Sequence, residues 1–229
     1  MLAFALATLG AAKWPDPERL APEIRAFARA DSALPPPAGA VVCVGSSSIR
    51  MWHPTLARDL APLTVVPRGF GGSTMEDLER YLEPLVLAVR PRAVLLYEGD
   101  NDLLEGVSPG EIAAVLDTIL TRIRTTLPGT RVYVLSIKPS PSRRALWPRA
   151  AETNARFREA CARDSLLHYV DVAGAMLDRN GQPGPELFGP DSLHMSGAGY
   201  AVWTRVVRPV LLGREARFER AAGDSARQK

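Results

Sequence analysis

The chain has 229 residues, 46% of them hydrophobic and 23% charged, with a formal net charge of +3. That length suits one large α/β domain with a full core, and the composition excludes disorder for the bulk of it. So small a net charge, with arginines dispersed along the chain, excludes the basic stripe of a nucleic-acid-binding face and leaves a small-molecule, glycan or lipid partner.

Met1 to Ala12 is apolar and ends in small residues, like the hydrophobic part of a secretory signal, but it lacks a basic n-region. It is also shorter than the ~20 apolar residues that span a bilayer, so no stable membrane insertion is expected. Two readings stay open: a periplasmic or secreted protein with a residual signal, or a cytoplasmic protein with an apolar first helix. Pro15-Asp16-Pro17 opens a helix through about Arg29, with Leu20, Ile24 and Phe27 on one face as packing residues. A proline-rich stretch, Ala33 to Gly39, ends it. Residues 1–36 therefore read as an apolar segment and leading helix, 37–213 as the main domain, and 214–229 as a charged tail.

Val41-Val42-Cys43-Val44 is an apolar run without alternation, as in a strand covered on both faces, and it stops at Gly45-Ser46-Ser47-Ser48. In open α/β sheets ligands bind beyond the carboxyl ends of the strands, so hydroxyls placed there sit where substrates arrive. A lone Gly-Ser-Ser-Ser also reads as an ordinary helix cap. Ile49 to about Leu60 is partly helical with a restart at Pro54, and Trp52 is a core residue. Thr64 to Val66 forms the second strand and runs into Arg68-Gly69-Phe70-Gly71-Gly72-Ser73-Thr74, whose glycines allow close backbone approach to a ligand.

Met75 to Val89 is helical with a break at Pro84. Ala93 to Tyr97 is the third buried strand, followed at once by Glu98-Gly99-Asp100-Asn101-Asp102. Ser108-Pro109-Gly110-Glu111 has capping-box spacing with proline at the first helical position, and that helix runs to about Leu127. Val132 to Ile137 is the fourth strand, Lys138 to Pro148 a loop, Ala150 to Arg163 a helix, and Leu167 to Val172 the fifth strand. A final helix spans about Gly197 to Leu212, and the chain from Gly213 is expected to be expendable. Cys43 and Cys161 have no pairing or metal-site spacing and read as buried free thiols. Five short strands alternating with helices predict a three-layer α/β/α domain around a doubly wound parallel sheet.

Asp191 and His194 stand three residues apart, so the carboxylate can reach the imidazole Nδ1 and leave Nε2 free to take a proton from a serine. Acyl transfer also needs donors for the developing oxyanion, and the Gly71-Gly72 backbone and the Asn101 amide would lie on the same sheet edge as Ser46 to Ser48. Separately weak signals thus agree on one location and one reaction.

Taken in order, Val44-Gly45-Ser46-Ser47, Gly69-Phe70-Gly71-Gly72-Ser73-Thr74, Gly99-Asp100-Asn101-Asp102 and Asp191-Ser192-Leu193-His194 resemble the four blocks of the SGNH/GDSL hydrolases. The resemblance covers about Val41 to Leu211. It implies a flavodoxin-like strand order 2-1-3-4-5 and Ser47 as nucleophile. It implies Gly72, Asn101 and the Ser47 amide as oxyanion hole, with Asp191 and His194 as acid and base. Two positions depart from the family pattern: Ser46 and Ser73 stand where aspartates are usual, which leaves the local hydrogen bonding open. An α/β-hydrolase is disfavoured, because Ile49 occupies the second glycine of its Gly-x-Ser-x-Gly elbow.

The expectation is a metal-independent serine esterase that needs no cofactor and cleaves carboxylic esters through an acyl-enzyme. Phe70, Arg143, Arg144 and Trp147 are candidate substrate contacts at the mouth. Two rivals stay open. One is a metal-dependent esterase using Glu98, Asp100, Asn101 and Asp102, although their spacing fits no calcium loop. The other is a non-catalytic glycan- or lipid-binding module on the same fold.

Overall fold

A computed structural model describes residues 14–227, with side chains as far as residue 219. The apolar stretch Met1 to Ala12, with its two readings, lies outside the described residues. The sheet has five parallel strands, β1 (Val41–Gly45), β2 (Val65–Gly69), β3 (Ala93–Tyr97), β4 (Arg131–Leu135) and β5 (Leu167–Val170), in the order β2-β1-β3-β4-β5. Seven α-helices accompany it among the described residues: α1 (Ala21–Ala33), α2 (Ser47–Asp59), α3 (Met75–Arg80), α4 (Asp100–Leu104), α5 (Pro109–Thr126), α6 (Trp147–Cys161) and α7 (Gly197–Arg227).

Successive strand residues face opposite sides of a sheet, and here both sides are apolar. Val42, Val44, Val94, Leu96, Val132 and Val134 pack on one face with Ile24 of α1, Leu78 of α3, Ile112 and Ile119 of α5 and Phe157 of α6. Val41, Cys43, Ala93, Leu95, Tyr133 and Leu135 pack on the other with Ile49, Trp52 and Leu56 of α2 and Trp203, Val207 and Leu211 of α7. The fold is therefore the three-layer α/β/α sandwich, each buried aliphatic side chain contributing roughly 1.5–3 kcal/mol. Trp203 anchors the α7 side, its ring 4.9 Å from Tyr97 and 5.8 Å from Trp52.

Register decides what the sheet presents. Gly45 stands level with both Gly69 and Tyr97, so β1, β2 and β3 end together, and the residues that follow them emerge at one edge. Leu135 pairs with Val170, which brings Ser136 to Lys138 to the same edge from β4.

Several boundaries differ from expectation. The helix after the serines runs unbroken through Pro54, because Ile49, Trp52 and Leu56 are all buried on one face and hold the turns on either side of the missing N–H. The segment around Pro84 does break, α3 ending at Arg80 ahead of a π-type turn at Glu83–Leu87. Strand β2 takes in Arg68 and Gly69, since Arg68 is buried against Asp31 (2.6 and 2.7 Å) and over the Phe27 ring rather than exposed in the glycine loop.

The largest correction concerns the carboxyl-terminal helix, which continues far past Leu212. Glu215, taken as part of an expendable tail, is fully buried and bonded to Arg131, Arg92 and the Tyr133 hydroxyl (2.7 Å), while Glu219 holds the Thr64 amide at 2.7 Å. Burial pushes the Glu215 carboxyl up, but the Arg131 and Tyr133 hydrogen bonds and the flanking guanidinium charges outweigh it and hold it below the ordinary carboxylate range. Glu215→Ala leaves Arg131 and Tyr133 without their partner, and a loss of about 3 kcal/mol is expected from equilibrium unfolding in urea. A chain ending at Gly213 that unfolds with wild-type midpoint would show that this contact carries no stability.

Candidate active site

Tight backbone geometry brings Ser47 to the sheet edge. Gly45 has φ +146°, and a Cβ there would lie 2.1 Å from the Tyr97 carbonyl oxygen, so only glycine allows β1 to turn this close to β3. Ser46 is the N-cap residue of α2 and Ser47 its first residue. Across the edge, Asp191, Ser192, Leu193 and His194 form a compact turn in which Asp191 Oδ1 accepts the backbone N–H of Leu193 and of His194, both at 3.0 Å. The other carboxylate oxygen, Oδ2, lies 2.6 Å from His194 Nδ1, and His194 Nε2 lies 2.9 Å from Ser47 Oγ. These hydrogen bonds, that from His194 first, hold the Asp191 carboxyl well below its ordinary range, so it stays an anion facing the imidazole.

Three possible anion donors converge on the same place. Among the described residues the N–H groups of Ser47 and Gly72 donate to no protein acceptor. Gly72 has φ +75°, a left-handed conformation that costs other residues about 1–2 kcal/mol. Asn101, on α4, donates from Nδ2 to the Ser73 carbonyl at 2.8 Å and keeps a second N–H. Ser47, Gly72, Asn101 and His194 line one pocket of about 390 Å³, together with Arg50, Met51, Gly71, Arg143 and Leu193. A larger cavity of about 610 Å³ lies between α2 and α7 and shares Met51, but neither Ser47 nor His194 lines it.

The glycine loop is held from below and behind. Gly71 N–H donates to Glu23 (3.2 Å) and Arg19 reaches the Gly72 carbonyl (3.3 Å), so the leading helical segment, read as packing only, also braces this loop. Ser73 Oγ lies 3.1 Å from the Phe70 carbonyl and 2.5 Å from Glu98 Oε1. One hydroxyl proton cannot serve both acceptors. Burial pushes the Glu98 carboxyl well above its ordinary range, which favours the protonated form that can donate to Ser73 and free the Ser73 hydroxyl for Phe70. Behind β2, the Gly69 N–H donates to His53 Nε2 at 2.9 Å, where burial first, and the Arg50 and Arg68 charges next, lower the imidazole to about 4.

The other acidic residues of the third block are already engaged. Asp102 accepts from the Met75 amide (2.9 Å) and from Trp14 Nε1 (2.9 Å), and burial raises its carboxyl to about 6. Asp100 pairs with Lys138 Nζ (3.0 Å) and Arg143 Nη1 (2.8 Å); burial raises its carboxyl, and the two cations outweigh that and lower it. Glu98, Asp100 and Asp102 thus point to three different partners. Among the described residues no three His, Cys, Asp or Glu side chains gather as a metal ion would need. Cys43 and Cys161 are buried thiols, each pushed up to about 12 chiefly by burial.

Of the four candidate substrate contacts, only Arg143 lines the pocket. Phe70 is fully buried: its amide donates to the Gly45 carbonyl at 2.9 Å, which turns the ring into the core with Met75 and Leu78. Trp147 packs half-buried against that core at the start of α6, and Arg144 points to solvent outside the pocket. Arg50 and Met51 are pocket residues that the sequence reading passed over. They stand three and four positions after Ser47, on the helix face that Ser47 shares, so helical spacing alone was enough to find them.

No curated protein sequence matches the chain. Among solved structures, a GDSL-like lipase from Bacteroides thetaiotaomicron is similar, with TM-score 0.69 and 19% identity over 82% of this chain and 96% of the other. A lipase/acylhydrolase from Enterococcus faecalis gives 0.61 and 22% over 76% and 96%. A catalytic mutant of an acetylxylan esterase from Geobacillus stearothermophilus gives 0.60 and 16% over 74% and 92%. At these identities the likeness is one of fold. No helix among the described residues is long and apolar enough to cross a membrane. The sequence profile of the GDSL-like Lipase/Acylhydrolase family matches residues 38–202, most of the chain and all four motif blocks, and the chain belongs to that family of hydrolases acting on esters.

Proposed function

We propose that the chain is a serine esterase that works without a metal ion through an acyl-enzyme. The observation that carries this reading is the continuous path from Ser47 Oγ to His194 Nε2 (2.9 Å) and from His194 Nδ1 to Asp191 Oδ2 (2.6 Å), opening on the pocket that Gly72 and Asn101 line. Ser47 Oγ attacks the ester carbonyl carbon while His194 Nε2 takes its proton, and Asp191 stabilises the imidazolium without itself becoming protonated. The carbonyl oxygen becomes an oxyanion that accepts from the Ser47 and Gly72 amides and from the free N–H of Asn101. His194 then gives its proton to the departing alcohol, and the cycle repeats with water to release the acid.

A serine-directed phosphonate tests the nucleophile directly. Labelling is expected at Ser47 alone, read by mass spectrometry of peptides, and hydrolysis is expected to survive exhaustive chelation. Labelling that persists in Ser47→Ala, or activity abolished by chelation and restored by calcium or magnesium, would overturn the mechanism.

A further inference from the structure

Asn101 depends on a residue 42 positions later in the chain. Arg143 Nη2 donates to Asn101 Oδ1 at 2.9 Å, while Asn101 Nδ2 donates to the Ser73 carbonyl at 2.8 Å. A carbonyl only accepts and a guanidinium only donates, so these two bonds leave the amide a single orientation. A planar amide held at its oxygen and at one N–H has its remaining N–H aimed in one direction, and Asn101 lines the catalytic pocket. With the Ser73 bond alone, the amide could still swing about that bond.

We infer that Arg143 is a positioning residue for the oxyanion hole: it orients and polarises the Asn101 amide rather than binding substrate. The inference rests on the proposed role of Asn101 as an oxyanion donor. Two further observations support it. The Arg143 side chain is only 11% exposed, so it is built into the wall rather than extended toward solvent. Its guanidinium is anchored by Asp100 at 2.8 Å, which is itself held by Lys138 at 3.0 Å, a buried cation–anion–cation row that ends on the amide oxygen. Lys138 follows β4 and Asp100 opens α4 after β3, so the row is tied to two core strands of the sheet. A positive donor on the amide oxygen also draws density from the amide nitrogen and strengthens its remaining N–H, by about 10–30% on condensed-phase estimates of hydrogen-bond cooperativity.

The test is a double-mutant cycle read as kcat and KM on one soluble ester, using wild type, Arg143→Met, Asn101→Ala and the double variant. Arg143→Met leaves Asp100 paired with Lys138, so the fold is expected to persist. Its kcat is expected to fall about tenfold with KM changed less than twofold, a smaller fall than the ~10²-fold or more expected for Asn101→Ala. In the Asn101→Ala background, adding Arg143→Met is expected to cost nothing more. Arg143→Lys keeps the charge beside Asp100 and should show the same non-additivity, so it serves if the methionine variant does not fold. A raised KM at unchanged kcat, or losses that multiply in the double variant, would mean that Arg143 acts on substrate directly and would overturn the inference alone. An Asn101→Ala enzyme with wild-type kcat would instead overturn the oxyanion role of Asn101, and the inference with it.

Discussion

Ser47→Ala is expected to lower kcat by about 10⁴-fold or more while leaving KM and unfolding stability close to wild type. Removing a triad nucleophile costs up to ~10⁶ where it has been measured in a serine protease, the residue that remains coming from the oxyanion donors and from binding. Stability is spared because, among the described residues, the deleted hydroxyl bonds only to His194. Ser47 is the first residue of α2, where alanine is a good helix former, and the capping position is Ser46. The same logic separates the neighbouring hydroxyls. Ser46 is buried and makes no side-chain cap bond, and its backbone N–H donates to the Tyr97 carbonyl at 3.2 Å. Ser46→Ala is therefore expected to retain activity within a few-fold of wild type. Comparing kcat for the two variants on one ester decides the assignment: a loss concentrated in Ser46→Ala would sink it.

Asp191→Asn is the second large effect, and its cause is tautomeric. Two backbone N–H groups, of Leu193 and His194, point at Oδ1 and require an acceptor there. An asparagine that satisfies them must turn its NH₂ toward His194 Nδ1. The ring then carries its proton on Nε2, which faces Ser47 as a donor and cannot take the serine proton. In a buried protease triad that exchange costs about 10⁴ in kcat. Here the carboxylate is 51% exposed, so water can compete for Nδ1 and a loss of about 10²–10³ is expected. The pH profile gives an independent check. In wild type Asp191 is held below the ordinary carboxylate range and stays ionised throughout, so its protonation is expected to add nothing to the acid limb. A carboxylate titration in the wild-type acid limb, or a variant with unchanged rate, would mean that the histidine is oriented by another group.

The sheet and the gathering of polar loops at one of its edges were legible in the chain because both follow from local rules. A parallel strand covered on both faces must be apolar throughout, so Val41 to Val44 and Ala93 to Leu96 announce themselves. Each is followed by glycine and polar residues at the edge where a parallel sheet gathers its loops, and the spacing of Asp191 and His194 is short enough for one turn to join them. What only the tertiary structure decided are matters of direction and of distant partners. Nothing in the residue type of Phe70 or Arg143 says which loop side chain turns inward. The Phe70 amide bond to Gly45 sends the ring into the core, and the carboxylate of Asp100 draws Arg143 into the pocket wall. Glu215 reads as one more charge in a solvated tail until Arg92 and Arg131, each just before or at the start of a strand, meet it at the opposite end of the sheet. A carboxylate is buried or exposed according to the cations that fold against it, and those cations lie more than 80 residues away in sequence.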